Sequence, residues 1–301
     1  MKFLKYHILV VAIILPSLVV KAQEDNALDA PQGSNIQNLT PSKLIGKGQY
    51  DIKLFNNLYT QNESTFSSED GIRQNFFTST LEVFTGVSDT KRVNLGLIAE
   101  FRANGRDFVL DDGSTERRNT SGLTSIAPSI KIVPFKNVGN FSILSSFSIP
   151  LISQEEDANG VFLDQDGFTW QNRIFYDYTF PGKKWQLFSE INSEYNFGKD
   201  AVVNANDITV EGSFANNSLR LTPGVFLSYF PSSKFTVLVL GQHTELIDLG
   251  NNFSQNFTAL GGGAKYQLTD ELNVEVLYTN FVRGRDTGLG ETFNIGLRAV
   301  F

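Results

Sequence analysis

The sequence contains no cysteine in its 301 residues and only two histidines, His7 and His243. Without cysteine the chain can form no disulfide, no thiolate metal site and no lipid-modified N-terminal cysteine. After residue 22 it also has no unbroken apolar run of about 18 residues, so no transmembrane helix is predicted. If the mature chain lies in a membrane, only a closed β-barrel can satisfy its backbone hydrogen bonds there.

The first 22 residues predict a secretory signal peptide. Lys2 and Lys5 form a positive start, residues 8–20 form a short apolar core, and small residues precede a cut between Ala22 and Gln23. The core is too short and badly flanked for a spanning helix, although an N-terminal anchor helix is the alternative interpretation. Export without disulfides suits an outer membrane or a periplasm, and an outer-membrane location in a Gram-negative bacterium is expected.

Basic residues are fewer than acidic ones. The chain has 25 lysines and arginines against 32 acids, and removal of residues 1–22 takes away three lysines and no acid. The formal net charge therefore moves from −7 to −10. An acidic chain with scattered basic residues is poorly suited to nucleic acid, so no nucleic-acid partner is expected.

A polar segment, residues 23–48, follows the signal peptide and is predicted to be an N-terminal periplasmic extension. From residue 49 to residue 301, segments that alternate in hydrophobicity are separated by turns that are alternately short and long. The long connections fall at 61–71, 105–120, 153–167, 199–216, 248–255 and 284–290. The strands are predicted at 49–60, 72–87, 91–104, 121–135, 140–152, 168–180, 184–198, 217–230, 234–247, 256–268, 271–283 and 291–301.

Twelve strands with short and long connections in alternation predict an all-β fold, an antiparallel transmembrane β-barrel over residues 49–301. Both termini fall on the short-turn side, which is the periplasmic side of bacterial outer-membrane barrels. Two strands fit less well. The strand that begins at Phe235 is apolar on both faces, and the next one contains the glycine run 261–263, which can mark a bend or a bulge.

Charged and aliphatic residues alternate along several strands. In the strand over 91–104, Leu95 and Leu97 share one face while Glu100 and Arg102 share the other. A charge that faces mid-bilayer lipid costs about 2–4 kcal/mol, so the charged face is expected to line a lumen. The predicted lumen-lining residues are Asp51, Lys53, Glu82, Glu100, Arg102, Lys131, Arg173, Asp177, Glu190, Glu194, Arg220, Lys265, Glu275 and Arg298.

Aromatic residues fall near the strand ends in two sets, as in the interfacial belts of a membrane barrel. The short-turn set includes Tyr50, Trp185 and Phe301, and the long-loop set includes Trp170 and Phe257. Other aromatics share the inward face, where they either pack the interior or line a cavity for a small amphipathic or aromatic solute. These are Phe55, Tyr59, Phe84, Phe175, Phe188, Phe226 and Phe281.

The last eleven residues, 291–301, resemble the final strand of Gram-negative outer-membrane β-barrels. Phe293 and Leu297 share one face, Arg298 lies on the other, and Phe301 is the closing aromatic. The resemblance implies the barrel assembly machinery as a partner, together with outer-membrane lipids and lipopolysaccharide. A secreted β-sandwich or a lipocalin-like barrel would also alternate, but neither needs twelve strands of similar length or two aromatic belts.

In strand count and size the chain resembles the nucleoside-type and oligogalacturonate-type twelve-strand channels, which implies a channel or transporter for small solutes. One alternative is a structural or interaction barrel with an occluded lumen and binding loops, because opposite charges can pair across strands and fill the interior. The oligomeric state is open.

The other alternative is a lipid-active enzyme of the outer membrane. Its candidate base, His243, has Glu245 rather than a serine two residues on, so neither catalytic residues nor an enzyme activity are predicted. Asp164 to Gly167 resemble a fragment of a calcium loop without its closing glutamate. No metal site and no cofactor are predicted.

Overall fold

The structure is a computed structural model that describes residues 41–65, 72–152, 160–163, 167–198, 201–203, 208–210 and 217–301. The predicted signal peptide and residues 23–40 of the predicted extension lie outside this part of the chain. None of the residues that the structure describes forms a helix of the length and apolar character needed to cross a membrane.

Fourteen β-strands are described, and twelve of them form one closed, antiparallel barrel. Strands β8 and β9 form a separate two-stranded hairpin within the connection between β7 and β10. The prediction of an all-β, antiparallel, twelve-stranded barrel is confirmed. The strands are β1 (Tyr50–Ser64), β2 (Gln74–Gly86), β3 (Val93–Val109), β4 (Thr115–Ile132), β5 (Phe141–Pro150), β6 (Thr169–Thr179), β7 (Trp185–Asn196), β8 (Ala201–Val203), β9 (Ile208–Val210), β10 (Ser218–Tyr229), β11 (Phe235–Asp248), β12 (Gln255–Gln267), β13 (Leu272–Arg285) and β14 (Gly288–Val300).

The barrel closes between its first and last strands. Strands β1 and β14 pair in antiparallel register from Asp51 opposite Val300 onward. Beyond that pair, the backbones of Tyr50 and Phe301 exchange two hydrogen bonds of 2.7 and 3.0 Å, and their rings lie 6.1 Å apart. The closing aromatic predicted from the sequence therefore sits on the barrel seam, beside the residue that starts the first strand.

The two ends of the barrel differ. One end carries the short turns and the two chain positions where the seam begins, Tyr50 and Phe301. It is called the short-turn end. The other is called the long-loop end. Two connections at the long-loop end are shorter than predicted. Strand β3 continues to Val109 and β4 already begins at Thr115, and β13 and β14 are separated only by residues 286–287.

The shorter connection between β3 and β4 has a local physical cause. Cross-strand partners continue the β3–β4 ribbon beyond the rest of the barrel, as in the 2.7 Å ion pair between Arg117 and Asp107. The ribbon turns at Gly113, which has a positive φ, and the hydroxyl and backbone amide of Ser114 both donate to Asp112. These hydrogen bonds lower the pKa of Asp112.

The strand that is apolar on both faces is β11. Leu238 is 4% exposed and points into the barrel, whereas Val239 is 59% exposed and points outward. The neighbouring glycine run in β12 is explained by close packing against β13. A Cβ atom on Gly261 would lie 2.0 Å from the carbonyl oxygen of Tyr278, and one on Gly263 would lie 2.1 Å from that of Val276. Glycine is therefore required at both positions for the strands to approach.

Pairing between β4 and β5 is interrupted at Ala127 and Pro128. The strands pair before this point, at Ile126, and again after it, at Ser129. Proline has no backbone N–H to donate to the ladder, which explains the break. An outward groove of about 490 Å³ lies beside it, and Trp170 crosses the groove to donate a 3.0 Å hydrogen bond to Ser145.

Candidate functional site

The inner wall of the barrel is the candidate site. On β1 the side chains of Asp51 and Lys53 lie on the less exposed face, and Leu54 and Leu58 lie on the exposed one. The same alternation places all fourteen of the charged residues predicted to line a lumen on the less exposed face of their strands. The structure brings most of them together as ion pairs that follow the wall from one end of the barrel to the other.

Near the short-turn end the pairs lie around the seam. Arg298 donates two hydrogen bonds, of 2.8 and 2.6 Å, to the carboxylate of Asp51 on the adjacent strand. Lys265 and Glu275, which are direct partners between β12 and β13, lie 2.5 Å apart. Lys53 is the cross-strand partner of both Arg298 and Glu82.

On the facing wall, Arg173 of β6 joins two acids. Its guanidinium lies 3.1 Å from Glu190 on β7 and 3.8 Å from Glu82 on β2. Strands β2 and β6 are separated by three strands in the closed sheet, so the longer of these contacts crosses the lumen. The Arg173 guanidinium also lies 5.0 Å from the ring of Phe175, within the range of a cation–π contact.

Toward the long-loop end, two further ion pairs are described. Arg220 of β10 lies 2.9 Å from Glu194 of β7, and this carboxylate also accepts hydrogen bonds from Gln171 and Asn192. Arg102 lies 2.7 Å from Glu100 and donates a 2.8 Å hydrogen bond to the carbonyl of residue 163 in the β5–β6 connection. Residues 162 and 163 of that connection therefore lie over the inward face of β3.

Aromatic residues fill a section of the lumen between these pairs. Phe84, Phe175 and Phe188 are buried together with Leu144, and Phe226 packs against them. The rings of Phe188 and Phe226 lie 5.4 Å apart. Interior packing, one of the two readings of the inward aromatics, is what the structure shows for this group.

A second aromatic stack lies at the long-loop end. Phe281 stacks on Tyr59 at 4.8 Å and on Phe257 at 4.2 Å. The assignment of Phe257 to the outer aromatic belt is therefore wrong. Phe257 is the cross-strand partner of Thr244, which is buried, and so it shares the inward face.

The N-terminal segment over residues 41–49, called the N-terminal strap, was missed as part of the site. Lys47 of the strap forms an isolated parallel β-bridge with Gly86 of β2. The packing there is close, because a Cβ atom on Gly86 would lie 1.9 Å from the carbonyl oxygen of Gly46. From there it crosses the short-turn end to β6, where the fully buried Ser42 donates a hydrogen bond to Asp177.

Two predicted lumen residues are engaged by this strap. Asp177 accepts the Ser42 hydrogen bond, and the buried Lys131 donates a 3.2 Å hydrogen bond to the backbone carbonyl of Lys43. Ile45 is also buried. The last residues of the predicted extension over residues 23–48 thus lie across one opening of the barrel.

The comparisons with known proteins find no matching protein-family model and no matching curated protein. Solved structures do match. An outer-membrane channel from Pseudomonas putida F1 superposes with a TM-score of 0.61 at 11% identity, covering 87% of this chain and 98% of the channel. The chain has the fold of an outer-membrane β-barrel. The β domain of the Bordetella autotransporter BrkA gives a TM-score of 0.54 at 12% identity, with 84% of this chain and 99% of the β domain covered.

The outer face of this barrel holds His243, the one histidine among the residues that the structure describes. His243 and Glu245 project outward from β11 near the long-loop end, in the same parity as Val239. The Nδ1 atom of His243 lies 2.9 Å from the hydroxyl of Thr258 on β12, and its Nε2 atom lies 3.6 Å from Glu245. A lipid-active enzyme would need a hydroxyl two residues after His243, where the chain has Glu245. The hydroxyl that contacts His243 belongs instead to Thr258 on the adjacent strand, and this contact depends on the strand register.

Within the described ranges there is no group of three or more histidine, aspartate or glutamate side chains that could hold a metal ion. Residues 164–166 of the calcium-loop fragment lie outside the described residues, so the fragment stays untested.

Proposed function

We propose that this protein is a channel or transporter of the Gram-negative outer membrane that passes small polar solutes, including amphipathic or aromatic ones. The observation that carries the proposal is the continuous set of charged side chains on the inner wall, from Asp51 and Arg298 at one end to Arg102 and Glu100 at the other. A barrel whose interior served only as packing has no need of charges along its whole length, since each must be desolvated.

The outer face supports the membrane location. Its exposed residues are aliphatic in the middle, as with Leu97, Val239 and Ile295, and aromatic toward the ends, as with Trp185 and Trp170. This is the surface that a bilayer solvates and that water does not. With cleavage after Ala22 and short turns in the periplasm, both termini would lie in the periplasm.

The interior is consistent with a narrow channel whose lumen is closed in this structure. The N-terminal strap covers the short-turn opening, and the cluster around Phe175 and Phe188 fills the section above it. Paired charges of both signs favour weak ion selectivity, and the inward aromatic rings favour solutes that also carry apolar groups. Opening requires the strap to move, and the solutes that pass are expected to be small.

The experiment is conductance of the purified barrel in planar lipid bilayers, combined with uptake of small solutes into proteoliposomes. Discrete current steps smaller than those of a wide porin are expected. Heat-modifiable gel migration and recovery in the outer-membrane fraction test the location separately. Release as a soluble periplasmic protein would overturn both the location and the channel.

A structural or interaction barrel is the second candidate, and the buried cluster of Phe84, Leu144, Phe175 and Phe188 favours it. It is distinguished by an electrically silent bilayer, with or without the strap, from a protein that still fractionates with outer membranes.

A lipid-active enzyme is the third candidate, supported by the contact of His243 with Thr258. A threonine hydroxyl becomes a nucleophile only when a base activates it, and His243 is placed to do so. Loss of a phospholipase activity in His243→Ala would favour the enzyme over the channel.

A further inference from the structure

The outward face near the long-loop end carries a compact polar patch on three adjacent strands. In one row, His243 of β11 pairs with Thr258 of β12, which pairs with Arg283 of β13. In the next row toward the loops, Glu245 pairs with Asn256, which pairs with Arg285. The six side chains, called the outer polar patch, therefore point to the same side of the sheet.

The patch lies just beyond the apolar part of the same face. Two rows nearer the short-turn end, the outward residues are Val239, Gly262 and Tyr278, and the Tyr278 ring packs against Phe293 at 5.4 Å. Val239 lies in the aliphatic middle of the outer face, and four further residues of the strand, at about 3.3 Å each, carry the wall from that row toward the headgroups. If the barrel spans a membrane as proposed, the outer polar patch lies at headgroup level.

The charges of the patch are loosely held. Arg285 lies 3.7 Å from both Glu245 and Asp286, and its side chain is 58% exposed. The side chain of Arg283 is exposed and makes no ion pair or hydrogen bond among the residues that the structure describes. His243 adds a ring nitrogen on the same surface. An arginine near the interface costs little on a lipid-facing wall, and an exposed guanidinium there is free to donate hydrogen bonds to an anion at headgroup level.

We infer that the outer polar patch binds the phosphate group of a lipid in the outer leaflet, with Arg283 as the principal donor and Arg285 and His243 beside it. A guanidinium presents paired donors that match phosphate oxygens, and phosphate-bearing headgroups are the anions available at that depth. Glu245 lies 3.7 Å from Arg285, and its negative charge disfavours a second phosphate. The inference rests on the membrane location in the proposed function and does not depend on an open lumen.

The test is binding of lipid A to the purified, folded barrel in neutral detergent, measured by native mass spectrometry and titration calorimetry. Wild-type protein is expected to bind lipid A at least tenfold more tightly than phosphatidylcholine, because the choline cation of phosphatidylcholine offsets the charge of its phosphate. The double variant R283Q/R285Q is expected to lose tenfold or more in affinity. Millimolar inorganic phosphate should displace lipid A from the wild type if the phosphate is the group recognised.

The matched control is Lys136→Gln, which removes an exposed positive charge in the turn after β4, at the opposite end of the barrel. It should bind lipid A as the wild type does. Heat-modifiable migration shows that each variant is folded. Equal affinity of R283Q/R285Q and wild type, or equal binding of phosphatidylcholine and lipid A, would overturn the inference. A silent bilayer would count against the channel alone, and a soluble protein against the location.

Discussion

Arg298 has a short, two-point contact with Asp51 in a place where water has little access. The two side chains are only 12% and 14% exposed, and each charge lies within the barrel wall. Breaking such a pair from one side leaves the other charge buried and uncompensated, which costs about 3–5 kcal/mol. The pair also joins the two strands of the seam, so its loss acts where the barrel closes.

We predict that Arg298→Met lowers the free energy of unfolding by about 3 kcal/mol, at the lower end of that range because Lys53 lies next to Asp51. Urea unfolding of the protein in lipid vesicles measures the change. The double variant R298M/D51L removes both charges and should recover most of the loss. A single variant as stable as the wild type would show that the pair is not buried in the membrane-embedded protein.

At the scale of single residues, the sequence predicted which faces the charges occupy but not their partners. Glu100 and Arg102 are two positions apart on one strand, so their shared face and their contact follow from local periodicity. The contact of Thr258 with His243 depends on the register between β11 and β12, which no local pattern contains. The same is true of Arg173 and Glu82, whose contact crosses the lumen.

Strand β11 offers a measurement of depth in the membrane. Its outward residues run from Val237 near the short-turn end through Val239 to Ile247 near the long loops. The cost of a charge on a lipid-facing wall is greatest at the midplane and falls toward the interfaces.

We predict that Val239→Arg destabilises the folded barrel in lipid vesicles by about 2–4 kcal/mol, because Val239 is the more central position. Ile247→Arg is the matched control on the same strand and face, and should cost about 1 kcal/mol or less because it lies near the interface. Unfolding in urea measures both. Equal costs at the two positions would be inconsistent with a bilayer around this wall.

At the scale of elements, the number of barrel strands and the strand centres were predictable because most strands show their own period of two in hydrophobicity. Strand ends were not. Polar residues on both faces of 105–120 read as a loop, yet the same residues pair as a ribbon where no lipid demands an apolar face. In β11, leucines on the inner face and valines on the outer face hid the alternation, because both surfaces there are apolar.

For the whole molecule, the N-terminal strap decides whether the short-turn opening is closed. Its tightest contact is with Gly86, where a Cβ atom would lie 1.9 Å from the carbonyl oxygen of Gly46. The strap was not predictable from sequence, because its polar and glycine-rich composition is typical of a linker and its partners Asp177 and Lys131 come from distant strands.

We predict that Gly86→Ala displaces the strap and raises the mean conductance of the barrel severalfold in planar bilayers. The matched control is Gly139→Ala, where an added Cβ atom meets no heavy atom within 4 Å. Protease sensitivity of residues 41–49 provides a second readout, and it should increase in Gly86→Ala only. Unchanged conductance together with unchanged protection would remove the strap from the gating of the barrel.

The seam between β1 and β14 also constrains how the protein folds. The residues of its ion pair are 247 positions apart in the chain, so they meet only after all the intervening strands have been laid down. Contacts of such high sequence separation form late, after the chain entropy of closure has been lost. We therefore expect the Asp51–Arg298 pair to contribute to the kinetic stability of the barrel, so that its removal speeds unfolding and leaves the folding rate nearly unchanged.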